Sequence, residues 1–345
     1  MKKTVAKQDV SAQPRLSLIV VPRVFPNPQL KRFLQSTELI GVQYEVVLVT
    51  NHTQEAPFDE YAKNLIATNP KMSQVTIADL AHDPGLALGR NIGAALANSN
   101  NLFFCDDDIV LVEDISPLLA YLEDNRAQSV QPLILRFSDR AIIDSAGDWL
   151  LCLKGIYHAK IRAADRNITR LRDGLVLEQL PSLRGAFFAL RKDVWRGIGG
   201  FDGSFYFNFE DVDMGWRLTL AGYKNLFVPS VKVLHAGGRT TKSNAPDQKT
   251  VQFHIVNHHA LQLKISGIAA WPFIISRFEV FTLRCACRCH FHVLAPLNET
   301  LAMNRMLVQR LGYVRLHRKI LKETFHYAGR ETFRAMVKHE RFPVS

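Results

Sequence analysis

Three aspartates stand in a row, Asp106, Asp107 and Asp108, directly behind the apolar run NLFFC at 101–105. Carboxylates this close repel and raise one another's pKa, and a divalent cation is an economical counter-charge. Mg²⁺ typically takes one or two carboxylates together with the phosphates of a substrate. In an extended segment Asp106 and Asp108 point the same way, so the pair suits one metal, or one metal and a ribose diol. A solvated acidic turn that caps the next helix explains the triplet equally well when it is taken alone.

A second acidic set, Glu210, Asp211 and Asp213, opens the segment 210–221 (EDVDMGWRLTLA), which reads as a helix stopped by Gly222. Capping and macrodipole compensation explain carboxylates in a first turn. The aromatic surround of Phe205, Tyr206, Phe207 and Phe209 supplies another reading, a carboxylate able to take a proton from a hydroxyl. His235 follows a short strand at 231–234 and precedes Gly237 and Gly238. Its imidazole is a usable ligand for a divalent metal, although single histidines more often pack or face solvent. The cluster Cys285, Cys287, Cys289, His290 and His292 lacks the paired spacing of structural zinc, so buried thiols are the expectation there.

These residues need a frame. The runs 16–21 (LSLIVV), stopped by Pro22, and 45–50 (EVVLVT), ended by Asn51, His52 and Thr53, read as buried strands. A helix over 28–40 between them makes a βαβ unit and hence a parallel sheet. The NLFFC run is a third strand, and ligands of open α/β sheets bind beyond the carboxyl ends of strands. Pro22, Asn51 and Asp106 therefore come to one edge. Gly85, Gly89 and Gly93 recur every four residues, which puts them on one helical face as a packing signal; their spacing is not the dinucleotide fingerprint. Residues 185–190 (GAFFAL) read as a later strand and 195–209 as an aromatic, glycine-rich loop.

The chain has 345 residues, 47% apolar and 22% charged, which excludes a disordered, collagen-like or coiled-coil protein. Five cysteines argue against a disulfide scaffold and for a reducing compartment. Net charge is +11, and residues 301–345, with ten basic against three acidic side chains, carry +7 of it. A nucleic acid, an anionic membrane surface, a phosphorylated ligand or plain solvent each answers such a field. Residues 1–15 form a polar tail with no apolar signal segment behind it. The apolar stretch 268–283 is broken by Arg277 and Glu279, so no transmembrane helix is required. Leu307, Leu311 and Val314 share a helical face, preceded by Trp271, Phe273, Phe278 and Phe281. Contact with an anionic membrane interface and packing on the preceding domain or a second subunit are both open for that face.

The order of motifs resembles glycosyltransferase family 2, with its GT-A fold, and in particular the rhamnosyltransferase-like bacterial members that build surface polysaccharides. The resemblance runs from about residue 16 to about residue 240. It is densest over 185–238, with a Gly-Gly-Phe-Asp turn, an aromatic loop, Glu-Asp-x-Asp, an Arg and a Gly-Tyr pair, and His-x-Gly-Gly. The segment GLALGRNIGAALANSNNLFFCDDD is similar to the family's Gly/Arg-Asn helix, strand and Asp-x-Asp. Two strand ends depart from the family pattern: Pro22 is followed by Arg23-Val24-Phe25, and the second reads Val49-Thr50-Asn51-His52-Thr53.

The resemblance implies an α/β fold, Rossmann-like, with a mixed, mostly parallel sheet flanked by helices and a C-terminal helical extension. It divides the chain into the tail 1–15, a catalytic domain at 16–262 and a basic, mainly helical region at 263–345. It implies Asp211 as catalytic base with Glu210 beside it, and Asp108, Asp106 and His235 around Mg²⁺ or Mn²⁺. Pro22, Thr50, Asn51, Arg90, Asn91, Asp106, Asp107 and Gly185 would line the nucleotide-sugar. The implied reaction is inverting sugar transfer from a dTDP-, UDP- or GDP-sugar to a glycan or lipid-linked acceptor. The implied location is the cytoplasm or the cytoplasmic face of the inner membrane, with peripheral membrane association and oligomerisation left open. A metal-dependent nucleotidyltransferase is the alternative, and a nucleic-acid-binding protein a weaker one, because the basic residues are not interleaved with a recognition motif.

Overall fold

Apolar runs with polar turns behind them build one large mixed sheet in the computed structural model, which describes residues 1–8, 13–51, 58–153, 156–170, 175–237, 248–270, 272, 274 and 294–338. The strands are β1 (Lys2–Lys7), β2 (Leu16–Val20), β3 (Tyr44–Thr50), β4 (Met72–Asp79), β5 (Asn101–Cys105), β6 (Ile109–Leu111) and β7 (Ser129–Arg136). They continue with β8 (Ile143–Ser145), β9 (Asp148–Leu153), β10 (Ile156–Ile161), β11 (Glu178–Leu180), β12 (Phe187–Arg191), β13 (Asn225–His235) and β14 (Val337–Lys338). The main path runs β1-β4-β3-β2-β5-β12-β7-β13-β11, while β10-β9-β14 form a small second sheet.

Strands β4, β3, β2 and β5 are mutually parallel. Strand β12 enters antiparallel between β5 and β7, and β7 and β13 are again parallel. The chain moves outward from β2 to β4 and then returns to the other side of β2 with β5, so the order reverses beside β2. That reversal opens a crevice at the strands' carboxyl ends, where Pro22, Asn51 and Asp106 follow β2, β3 and β5.

The helices are α1 (Pro28–Ser36), α2 (Phe58–Thr68), α3 (Gly85–Leu96), α4 (Pro117–Glu123), α5 (Lys192–Gly197), α6 (Glu210–Leu220), α7 (Gln248–Ser266), α8 (Leu294–Lys319) and α9 (Arg330–Ala335). Asn27 caps α1, its Oδ1 accepting the Leu30 N–H at 2.8 Å, and the helix ends at Ser36 in a 3₁₀ turn rather than running to residue 40. Alternate residues of β5 feed two cores, Phe103 the one under α1, α2 and α4, Phe104 the one under α3, α6, α7 and α8. The glycine stripe does pack. A Cβ on Gly89 would stand 2.6 Å from the Val21 side chain, and one on Gly93 would overlap Ile19.

Two expectations change. The polar N-terminal stretch is not only a tail: β1 adds to the sheet edge antiparallel to β4, Lys2 opposite Asp79 and Lys7 opposite Gln74. Its lysines face solvent, as suits an exposed edge strand. Likewise the division at 262 falls inside α7, one continuous helix.

The face of Leu307, Leu311 and Val314 turns inward, with Met303, onto the core that contains Val256, Ala260 and Leu261 of α7. Two of the basic residues in the tail also turn inward. Arg310 is buried, and Arg318 Nη1 donates to the carbonyls of Leu263 and Lys264 at 3.1 and 2.8 Å, closing the end of α7. Trp271, Phe273, Phe278, Phe281 and the cluster Cys285 to His292 lie outside the described residues. Among the described residues no helix is long and apolar enough to cross a membrane.

Candidate active site

Strand β5 delivers the aspartates into a tight turn before β6, the Asp106 carbonyl accepting the Ile109 N–H at 3.4 Å. The segment is therefore not extended as expected, and the turn rather than strand alternation brings Asp106 and Asp108 to one side. Strand β6 pairs antiparallel with β13 so that Ile109 lies opposite His235, which imports the imidazole from 126 positions on in sequence. One ligand atom from each of Asp106, Asp108 and His235 lies within 4.8 Å of the others.

His235 sits between two carboxylates. Its Nε2 is 3.2 Å from Asp108 Oδ1 and its Nδ1 2.9 Å from Asp144 Oδ2. Burial alone would lower its pKa, but these two partners outweigh that and push it up to about 10. Asp107 faces elsewhere, accepting from Asn27 Nδ2 at 2.7 Å at the start of α1. Burial, joined by the charges of Asp108 and Asp106 and opposed by the Asn27 bond, raises Asp107 to about 6.

The other acidic set opens α6 behind two consecutive left-handed residues, Asn208 and Phe209, each at φ +68°. Non-glycine residues rarely take this conformation without outside support. It presents Glu210 and Asp211 side by side, 3% and 8% exposed. The Gly185 N–H donates to Asp211 Oδ2 at 2.7 Å. Arg90, from α3, then connects both sets: Nη1 donates to Glu210 Oε1 at 3.0 Å, and Nη2 donates to Asp106 Oδ1 at 3.0 Å and the Gly185 carbonyl at 2.7 Å. Burial and the charge of Asp211 raise Glu210 above the ordinary glutamate range despite Arg90. Gly185 is required by closeness, since a Cβ there would stand 2.9 Å from Asp211 Oδ2 and 3.2 Å from Arg90 Nη1.

Pro22 and Thr50 are buried at the carboxyl edge, the Thr50 carbonyl accepting the Leu80 N–H at 2.8 Å, and Asn51 is half-buried beside them. Asn91, implied beside the nucleotide, turns the other way. Its Nδ2 donates to the Phe201 carbonyl at 2.9 Å, and its Oδ1 accepts from the Phe201 N–H at 2.8 Å and Trp195 Nε1 at 3.1 Å. One residue along a helix rotates the side chain by about 100°, so Arg90 reaches the acids while Asn91 fastens the Gly-Gly-Phe-Asp turn.

Two carboxylates escaped the sequence reading. Asp144 holds the far side of His235. Asp148, fully buried and pushed up to about 7 by burial, lies 3.9 Å from Arg184, the neighbour of Gly185. Asp144 and Asp148 belong to the stretch 136–183, which carries no motif, and nothing in the sequence singles them out.

Chemically, two carboxylates and an imidazole form a donor set for a hard divalent cation, and the carboxylate on the imidazole's second nitrogen is the usual support of a metal-binding histidine.

The family described as Glycosyltransferase like family 2 matches residues 14–251. The N-acetylglucosaminyl-diphospho-decaprenol L-rhamnosyltransferase of Mycobacterium tuberculosis is 28% identical over 264 residues, covering 70% of this chain and 80% of that protein. The pre-mycofactocin glycosyltransferase of the same organism is 27% identical over 154 residues, 45% of this chain and 30% of that one. The crystal structure of GalNAc-T7 with UDP, GalNAc and Mn²⁺ aligns with a TM-score of 0.54 at 18% identity, over 74% of this chain and half of that chain, a likeness of fold.

Proposed function

The chain belongs to glycosyltransferase-like family 2, and from that premise we propose that it transfers a deoxyhexose, with inversion, from a nucleoside diphosphate to a hydroxyl of a lipid-linked saccharide. The observation that carries this reading is the bridge by which Arg90 and Gly185 tie Asp106 to Glu210 and Asp211. One crevice then serves both donor and acceptor. The relative's action on a diphospho-decaprenol acceptor with L-rhamnose supports the deoxyhexose and the lipid carrier. Such an acceptor supports work at the cytoplasmic face of the inner membrane.

In this reading Asp211, held by the Gly185 N–H, takes the proton of the acceptor hydroxyl. The freed oxygen bonds the anomeric carbon from the face opposite the diphosphate, whose oxygen leaves with the bonding electrons. Arg90 pins Glu210 and so fixes the first turn that carries Asp211. Pro22, Thr50, Asn51 and Asp106 border the nucleotide at the sheet edge. Asp106, Asp108 and His235 would hold Mg²⁺ or Mn²⁺, the ion taking the place of the proton that His235 otherwise shares with Asp108, and it would supply positive charge against the leaving diphosphate. Asp144 keeps the His235 Nδ1 hydrogen-bonded, leaving Nε2 toward the aspartates.

The test is a transfer assay with dTDP-, UDP- and GDP-sugars and a polyprenyl-diphosphate-linked N-acetylglucosamine. Nucleoside diphosphate release that needs Mg²⁺ or Mn²⁺, with an inverted anomeric signal in the product's NMR spectrum, is expected. Pyrophosphate release would instead mark a nucleotidyltransferase, and a retained anomer would remove the single displacement.

A further inference from the structure

The left-handed pair that presents Glu210 and Asp211 is held from a distant helix as well as by the local bond from the Asp213 N–H to the Phe209 carbonyl. Asn257, fully buried on α7, donates from Nδ2 to the carbonyls of Phe207 and Asn208 at 2.8 and 2.6 Å. Its Oδ1 in turn accepts from Arg310 Nη1, on α8. The direction of the amide follows from these partners, because only its nitrogen can donate to two carbonyls and only its oxygen can meet a guanidinium. Arg310 is 4% exposed, and its charged group is spent on this contact and on the Phe205 ring, 5.6 Å away.

A second link grips the same helix start from the other side. Lys264 Nζ, also on α7, donates to Asp202 Oδ2 at 2.5 Å and Asp213 Oδ1 at 2.6 Å, and Arg217 Nε donates to the other oxygen of Asp213 at 2.8 Å. Both ends of the loop that precedes Glu210 and Asp211 therefore hang on α7, and α7 hangs on α8. Left-handed Asn208 and Phe209 have an alternative in the ordinary helical and extended regions, and either would swing the first turn of α6 away from Gly185 and Arg90.

We propose that Asn257, oriented by Arg310, is a positioning residue for the base Asp211, which makes the C-terminal helices a working part of the transfer site. This rests on the reading of Asp211 given above. A base displaced by as little as about 1 Å can cost on the order of 100-fold in rate, while the donor crevice at β2, β3 and β5 is untouched by Asn257.

The test compares Asn257→Ala, Arg310→Met and Arg310→Lys with Asp211→Asn in the full chain, by kcat, donor KM and thermal melting. Asn257→Ala and Arg310→Met are expected to lower kcat about 10- to 100-fold with donor KM unchanged to within about threefold. Arg310→Lys, which keeps a donor toward Asn257, is expected to recover most of the loss, a rescue that a merely structural role would not produce. If Asn257→Ala does not fold, the two Arg310 variants decide alone. Folded Asn257→Ala or Arg310→Met enzyme with kcat within about twofold of wild type, beside an inactive Asp211→Asn, overturns the positioning role and leaves the base assignment standing. Full activity in Asp211→Asn overturns both.

Discussion

The aspartate turn hangs from parallel strands packed mainly by apolar side chains, with Glu45 and Ser17 a buried polar pair at their far end, whereas Glu210 and Asp211 hang from a helix anchored by several buried charges. On the first side, β2, β3 and β5 are closed by Leu18, Ile19, Val47, Phe103 and Phe104, all fully buried. On the second, Asp202, Asp213, Arg217, Lys264, Asn257 and Arg310 are buried and bonded to one another or to loop carbonyls. Apolar packing is forgiving in direction and fixes a sheet edge well. The general base proposed at Asp211 needs an aimed oxygen, and directional hydrogen bonds supply that aim at the risk of large losses when one partner goes.

That contrast can be broken most severely at Asp211. Asp211→Asn is expected to lose about 10²–10⁴-fold in kcat, while thermal stabilisation by nucleoside diphosphate and Mn²⁺ persists. Loss of that stabilisation as well would mean that the two sides are not separable. Next in size, Asp144→Ala leaves Asp106 and Asp108 in place but removes the acceptor of His235 Nδ1. A Mn²⁺ titration of transfer should shift by about 10- to 100-fold, and an unchanged titration would remove Asp144 from the metal's support.

On the apolar side the expected effect is in stability. Gly93→Ala drives a Cβ into Ile19 and should cost about 1–3 kcal/mol in a denaturant melt, with kcat of the folded fraction unchanged. A fall in kcat larger than the fall in folded fraction would show that α3 transmits strain to Arg90.

The smallest expected effect is in pH dependence. Burial, reinforced by the Arg217 and Lys264 charges, holds the pKa of His317 far below the ordinary histidine range. The unfolded chain takes up that proton below about pH 6.5 and the native one does not, so stability declines as pH falls from there. For Asp213, Arg217 and Lys264 outweigh burial and lower the pKa. Its contribution is present above about pH 3.9 and lost as pH falls through the lowered value. Melting temperatures from pH 7 to pH 4 should therefore drop in wild type and more gently in His317→Asn. Parallel slopes would assign the acid sensitivity elsewhere.

Legibility in the sequence follows the same divide. Runs such as LSLIVV and NLFFC state a buried strand locally, and the placement of Asp106 at a strand's carboxyl end follows from the parallel connection. The stop of α6 is likewise legible in Gly222, at φ +90°, whereas its start behind left-handed Phe209 has no capping side chain. The lysine-bearing β1 is harder to see, because an edge strand buries little and its alternation is faint. The stretch 136–183, with β8 to β11 and the residues Asp144 and Asp148, shows no motif at all.

Sequence by itself determined the sheet edge, the acidic sets and the family, since each is encoded in residues adjacent or a few positions apart. Only tertiary structure decided which way Arg90 and Asn91 face, that Asp144 stands behind His235, and that Asn257 and Arg310 hold the loop before Asp211. Most of these contacts join residues far apart in the chain, such as Arg310 and Asn257 at 53 positions or Arg90 and Glu210 at 120. A hydrogen bond across such a distance imposes no periodicity on either segment, so it exists only once the apolar core has folded the two together.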